Sequence, residues 1–216
     1  IAAKILKYFY PFTSAKKHNN LPMIAELFQD NQDKEQSVKF WNSYTRYIGV
    51  SQNQLLYYAQ PDIKWATSCS VDVKGKAYLD QAYALKRGVL VMIYHHHFNM
   101  LFGVLLAKLG LPVTNIAMDP SESPLYQYFP SQIDKMYTNT AAYFNGGAYA
   151  LVKPGSFIRP IVRAFDKQHL VITANDFPDT FPGTNRIELP FMGKKLTCPT
   201  GSVELALNKR VPMVAA

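Results

Sequence analysis

Three consecutive histidines, His95, His96 and His97, stand between two apolar stretches, GVLVMIY (88–94) and FNMLFGVLLAKL (98–109). Imidazole titrates near neutrality without help from its surroundings. A His at the mouth of a buried strand can therefore take a proton from a hydroxyl or amine and return it. Alternate side chains of an extended segment face opposite ways, so His96 should point away from His95 and His97. The same pleat argues against three neighbouring imidazoles converging on one metal ion. His95 and His97 could supply two ligands, with a further His or carboxylate arriving from a distant part of the chain. Apolar walls on both sides suit a lipophilic substrate.

Two other segments carry chemistry. Asn175, Asp176 and Asp179 close the run HLVITAND and its continuation FPD. There Asp176 is either a carboxylate partner for an imidazole or a turn residue whose short side chain accepts from local backbone N–H groups. Thr200 and Gly201 open a helical stretch, GSVELALNK, in which free backbone N–H groups and the positive end of the helix dipole could hold a phosphate or an oxyanion. Arg186, Gly193, Lys194 and Lys195 precede it in sequence. A simply capped helix beside solvated charges is the plainer reading of that pattern. Neither cysteine, Cys69 nor Cys198, sits in the context of an activated nucleophile, and no CxxC spacing marks a redox or zinc site.

The elements that must position these residues follow from periodicity. The first sixty or so residues read as a helical preface: LPMIAELF, KEQSVKFWNSYTRYI and a Ser51-capped QNQLLYY closed by Pro61. From Trp65 to Val73 apolar residues alternate with polar ones, as in a strand, before Gly75 opens the helix KAYLDQAYALK. GVLVMIY is a continuous apolar run of strand length, the type that a parallel sheet buries on both faces. FNMLFGVLLAKLG has helix length and stops on Gly110, and LPVTNIAM supplies the next strand. AYALV, HLVITAND and RIELPFMG are further strands, PGSFIRPIVRAFDKQ a helix despite Pro160, and VPMVAA the start of a last strand. The expected fold is α/β: a mixed, mostly parallel central sheet flanked by helices. A helical N-terminal segment, 1–62, precedes the α/β core, 63–216, which breaks off at its C-terminus. In such sheets ligands collect outside the carboxyl ends of the strands, where the His cluster and Asp176 both fall.

Composition bounds the partners. At 216 residues, 48% hydrophobic and 13% aromatic, the chain has material for one substantial core. Lys plus Arg exceed Asp plus Glu by 23 to 15, a net +8 that draws anionic partners such as phospholipid headgroups, a phosphorylated donor or an acidic carrier protein. The basic residues are scattered and no nucleic-acid-binding signature is present, so nucleic acid is not an expected partner. No apolar run reaches the roughly 20 residues that span a bilayer. IAAKILKYFYPF mixes apolar residues with Lys4 and Lys7, as an interfacial amphipathic helix or an ordinary packed helix would. With two cysteines and no disulfide framework, a reducing, cytoplasmic setting is expected.

The stretch VDVKGKAYLDQAYALKRGVLVMIYHHHFNMLF resembles the core of the lysophospholipid and lipid A acyltransferase superfamily, and its late acyltransferases of lipid A biosynthesis in particular. The shared pattern is a strand, a Gly, a helix, a "GvLv" strand and then His-Phe. ANDFPDT followed by ELPFMGKKLTCPTGSVELALNKRVPMVAA is similar to the family's Asp after a strand, "FFG" segment, Pro-Thr-Gly helix start and final "apvv" strand. The resemblance implies an acyltransferase that moves a fatty acyl group from acyl-CoA or acyl carrier protein to a hydroxyl or amine of a lipid or glycolipid. The thioester would be its co-substrate, with no other cofactor and no metal. It would work at the cytoplasmic side of a bacterial inner membrane, peripherally on an anionic surface or through an anchor outside this chain. His97 aligns with the family's catalytic His because Phe98 follows it, which makes it the general base. His95, His96, Asn99, Arg186, Gly193, Lys194, Thr200 and Gly201 become candidate substrate-binding residues, and Asp176 a candidate catalytic acid.

The resemblance also implies an Asp or Glu after four intervening residues, which orients the imidazole and stabilises its charged form. Counted from His97 that position is Phe102, from His96 Leu101 and from His95 Met100. Three readings follow: the acid comes from elsewhere, with Asp176, Asp179, Asp119 and Glu122 near strand ends; His97 works alone; or the fold has lost catalysis. Two rival classes stand beside the enzyme: a metal-dependent hydrolase built on the His cluster, and a non-catalytic lipid- or carrier-binding protein. An aromatic run through Tyr126, Tyr128, Phe129, Tyr137, Tyr143 and Phe144 could line an acyl channel or simply be core.

Overall fold

The structure, a computed structural model, describes residues 39, 43, 58, 68, 70, 72–94, 99–122, 126–152, 158–175, 185–191 and 194–216, without the side chains of residues 99, 100, 191 and 194. The chain divides into two compact units, Ile1–Asn53 and Gln54–Ala216. In the first, Lys39 and Ser43 stand in helix with exposed side chains; the rest of the expected helical preface there lies outside the described residues.

In the second unit the elements run α1 (Lys76–Ala84), β1 (Val89–Ile93), α2 (Asn99–Ala107), β2 (Val113–Met118), a 3-10 turn (Pro120–Glu122), α3 (Pro130–Ala141), β3 (Tyr149–Val152), α4 (Ile158–Asp166), β4 (Leu170–Ala174), β5 (Arg186–Phe191), β6 (Lys194–Pro199), α5 (Gly201–Asn208) and β7 (Met213–Ala215). Five strands form one sheet in the order β3-β2-β4-β1-β7, every pairing parallel. The fold is therefore α/β, with a parallel central sheet flanked by helices. The antiparallel pairing is confined to a separate two-stranded sheet, β5–β6.

The apolar runs become strands because both faces of this sheet are covered. Val89, Val91 and Ile93 of β1, with Leu170, Ile172 and Ala174 of β4, pack into one core with Leu79 of α1, Leu101 and Val104 of α2 and Met136 of α3. Leu90 and Val171, one residue out of phase, join Ile161, Ala164 and Phe165 of α4 and Ala206 of α5 in a second core. A two-residue period feeds two cores at once, which is why these strands are continuously rather than alternately apolar. Pro160 is the third residue of α4, where its missing N–H would have had no intrahelical partner. The expected strand from Trp65 to Val73 does not form as drawn: Ser68 is helical and Ser70, Asp72 and Val73 are irregular. Val73 instead gives its carbonyl to the N–H of Lys76 at the start of α1.

Each of the helices α1 to α5 is followed by a residue in the left-handed region before the next strand begins: Lys86, Gly110, Asn145, Gln168 and Arg210. After α4 and α5 the N–H of His169 reaches the Ala164 carbonyl and that of Val211 the Ala206 carbonyl, closing the last turn as a Schellman motif. These loops line up along the amino edge of the sheet and bring together the exposed cations Lys86, Arg87, Lys108, Lys167, Lys209 and Arg210, at helix ends whose dipole favours positive charge. Gly147 admits no side chain, since a Cβ there would overlap the Val113 carbonyl at the start of β2.

His169, at the amino end of β4, is buried, with Nδ1 2.9 Å from Thr114 Oγ1. Burial, and secondarily the Lys167 charge, lowers its pKa from the ordinary 6.5.

Gln168→Gly should raise the unfolding free energy by about 1 kcal/mol, because glycine enters the left-handed region without a Cβ penalty. Gly147→Ala should fail to give a folded protein; both are read by thermal or urea unfolding. The neutral form of His169 is favoured in the folded chain, so the unfolded chain gains a proton that the folded one refuses as pH falls below about 6.5. Stability should be complete above that pH and decline below it, and the decline should be shallower in His169→Gln when melting temperatures are compared from about pH 7 to about pH 5.

Candidate functional site

β4 lies between β1 and β2, and this brings the strand ends of interest together. Ala174 pairs with Ile93, and the N–H of Asn175 donates to the Ile93 carbonyl at 3.2 Å, extending the ladder by one residue. The connections leaving β1 and β2 pass over the face covered by α2 and α3, whereas α5 and the strand after it follow β4 over the other face. The carboxyl end of β4 is thus a point where the winding direction reverses, the place where open α/β sheets bind ligands. From Tyr94, exposed at the end of β1, the chain continues directly into the His cluster.

Two polar groups mark this edge. The Asn175 side-chain oxygen is buried and has no hydrogen-bond partner among the described residues. An unpaired amide oxygen at a ligand-binding edge is costly to keep unless something fills its place, so it is suited to receive an N–H or O–H from a bound molecule or a neighbouring side chain. Thr173, buried two residues earlier, donates its hydroxyl to Ser202 Oγ at 3.3 Å, tying the strand end to the first turn of α5.

The start of α5 differs from the expected cap. Thr200 occupies the N-cap position, but its side chain makes no capping bond to the backbone. Its hydroxyl donates instead to Glu204 Oε1 at 2.6 Å, and Asn185 Nδ2 donates to Glu204 Oε2 at 2.7 Å. The N–H of Thr200 in turn donates to the Asn185 carbonyl at 2.9 Å. A carboxylate therefore sits in the first turn, where it already offsets the positive end of the helix dipole. An incoming phosphate would meet that charge; the neutral carbonyl of a thioester would meet less repulsion. Thr-x-x-x-Glu was the signal for this arrangement, and the sequence reading passed over Glu204 and Asn185.

The remaining candidates fall as follows. Arg186 begins β5 opposite Pro199, and Lys194 lies on β6 opposite Phe191 at the far end of the hairpin, well away from Thr200 in register. Asn99 is the first residue of α2. His95, His96, His97, Asp176, Asp179 and Gly193 lie outside the described residues. On α2, Leu101 is buried and Phe102 half-buried against the core beneath β1, so two of the three positions where an acid was expected belong to packing. Asp119 directly follows β2, on the far side of β4 from β1, about 10 Å across the sheet at the usual strand spacing. Its Oδ1 accepts from the N–H and hydroxyl of Ser121 at 3.0 and 2.7 Å, holding the following turn. Glu122 is exposed in that turn.

Much of the aromatic run is core. Phe144 is fully buried, and Tyr137 and Tyr143 pack against the same cluster. Tyr149 donates to or accepts from Thr140 Oγ1 at 2.7 Å, and Tyr137 donates to the Met118 carbonyl at 3.1 Å. Burial holds Tyr137 and Tyr58 neutral, with pKa values pushed up to about 12. Tyr128, by contrast, is exposed. Among the described residues no three His, Cys, Asp or Glu side chains converge as metal ligands, and no helix is long and apolar enough to cross a membrane. No protein-family model matches the chain, and comparison with curated proteins also finds no match.

The hydrogen bond from Thr200, followed by that from Asn185, holds the Glu204 carboxyl below its usual 4.5. A depressed folded pKa contributes stability above the unfolded value, and that contribution disappears as pH falls through the folded one. Glu204→Gln should therefore melt lower than the wild type at neutral pH, with the gap closing as the pH is taken below about 4.5.

Proposed function

We propose that this protein is an acyltransferase that moves a fatty acyl group from an acyl-CoA or acyl carrier protein thioester to a hydroxyl or amine of a lipid-like acceptor. The observation that carries the reading is the join of β1 to β4. A chain that leaves β1 into three histidines does so beside the reversal point of a parallel sheet, next to an unpaired amide oxygen. His97 takes the acceptor's proton as its oxygen or nitrogen attacks the thioester carbonyl, and returns it to the departing thiolate. The oxyanion is stabilised by backbone N–H groups at the carboxyl edge of the sheet. Asn175 Oδ1 can accept from an imidazole N–H and fix its tautomer, a positioning role the family pattern gives to a carboxylate. Asp176, next in sequence, is the alternative acid. The acceptor is met at an anionic membrane surface on the cytoplasmic side, which the +8 charge favours.

A non-catalytic lipid- or carrier-binding protein is the second reading, favoured by the placement of Leu101 and Phe102 in the packing of α2. The two separate in one assay. Acyl-CoA and acyl carrier protein donors of several chain lengths are incubated with lysophospholipid and glycolipid acceptors, and products are read by mass spectrometry. His97→Ala should reduce transfer by about 10²- to 10⁴-fold with an unchanged melting temperature, and Asn175→Ala by a smaller factor with a shifted pH profile. Wild-type activity in His97→Ala would remove it from the mechanism, and no transfer by the wild type with any donor would favour the binding protein.

A further inference from the structure

The β5–β6 hairpin has two unlike faces. Opposed pairs Ile187–Cys198 and Leu189–Leu196 share one face, and Arg186–Pro199, Glu188–Thr197 and Pro190–Lys195 share the other. The second face is polar and internally paired, with Lys195 Nζ 2.7 Å from Glu188 Oε2. The first leaves Ile187 48%, Leu189 41% and Leu196 37% exposed. Neighbouring exposed apolar side chains on one face of a two-stranded sheet mark an interaction surface rather than the scattered leucines of an ordinary protein exterior. Past the Pro190–Lys195 pair the ladder ends with Phe191 opposite Lys194.

The hairpin is also joined to the candidate site. Its base is clasped by the hydrogen bond from Thr200 N–H to the Asn185 carbonyl, Asn185 holds Glu204 of α5, and Ser202 of α5 meets Thr173 of β4. The apolar face therefore rises from the carboxyl edge of the sheet, beside the end of β4.

We propose that this face is the surface by which the protein docks on an anionic phospholipid bilayer, placing the carboxyl edge of the sheet where a lipid acceptor can reach it. Exposed apolar side chains on a chain of net charge +8 suit the boundary between acyl chains and negative headgroups. A second copy of the chain is the poorer occupant, because two molecules of net charge +8 repel each other while a negative surface attracts either. The proposal rests on the lipid-acceptor reading only for its purpose; docking itself is measured separately.

The full chain is sedimented with vesicles of phosphatidylcholine containing phosphatidylglycerol and with vesicles of phosphatidylcholine alone. It should bind the first, and the doubly substituted Leu189→Thr/Leu196→Thr protein should bind about tenfold more weakly while melting as the wild type does. Should that protein be unstable, Leu196→Trp serves instead: its emission, relative to the parent, should shift to the blue and be quenched by brominated lipid. Undiminished vesicle binding by the Thr variant, or an unmoved emission in the Trp variant, overturns the proposal. So does conversion of a dimer to a monomer by the Thr variant with vesicle binding unchanged, which assigns the face to self-association. On a monodisperse short-chain acceptor the Thr variant should transfer acyl groups as the wild type does and lose activity only on vesicles, whereas His97→Ala should lose activity on both and still bind vesicles. Hairpin-dependent binding without any acyl transfer leaves the docking surface standing and removes the enzyme reading alone.

Discussion

The insertion of β4 between β1 and β2 is the constraint on which the rest of this structure depends. Leu170 is registered against Val89 on one side and Val113 on the other, with its own N–H given to the Pro112 carbonyl and the neighbouring His169 carbonyl accepting from Val89. Without β4 the two earlier strands would stand two spacings apart with unpaired edges buried between helices, an arrangement the backbone cannot tolerate. The pairing is non-local, so it has to overcome a large loop-closure entropy before its ladder forms. All five residues of β4 are buried, and that burial provides the compensation.

The same insertion organises the chemistry. It puts the strand end that leads into the histidines beside Asn175, and it makes β4 the strand at which the winding reverses. On helix α2, two of the positions where a carboxylate was expected, Leu101 and Phe102, pack into the core. Leu101 is buried in an apolar cluster, a setting in which an ionised Asp would be costly to place without a paired charge. Under the proposed reading the candidate partners for the imidazole are Asn175, at the end of β4, and Asp176, next in sequence.

Under the proposed function, the hairpin would meet the membrane and the sheet edge would hold the reacting groups. A rigid parallel sheet with both faces covered has no apolar surface to offer a bilayer, whereas a two-stranded sheet attached at its base can present one face outward. The attachment through Asn185, Thr200 and Glu204 is polar and short, so contact made by the hairpin is made close to the carboxyl edge. The cations of the amino edge lie at the opposite end of the strands, and their placement follows from helix dipoles and left-handed helix ends.

The strands of the main sheet were legible because their signal is local. Five short apolar runs, separated by helical stretches, have few other ways to bury themselves than a parallel sheet with helices on both faces, and Gly110 and the Thr200-Gly201 pair set helix limits close to those observed. Where a pattern had two physical outcomes, the sequence was silent or misleading. Apolar residues from Trp65 to Val73 alternate as in a strand, yet Ser68 is helical and the Val73 carbonyl accepts from the N–H of Lys76 at the start of α1. KKLTCP did not read as a strand because its pairing is to RIELPF across two residues, and its face meets no core that would demand a strict pattern. Thr200 has the residue type of a helix cap, but only the folded chain shows its hydroxyl turned to Glu204. Periodicity and burial thus determined the class of fold. Strand order, the face each helix covers, the gathering of scattered lysines and arginines on one edge and the meeting of Asn175 with the end of β1 were decided by tertiary structure, because contacts between distant segments leave no period in the chain that makes them.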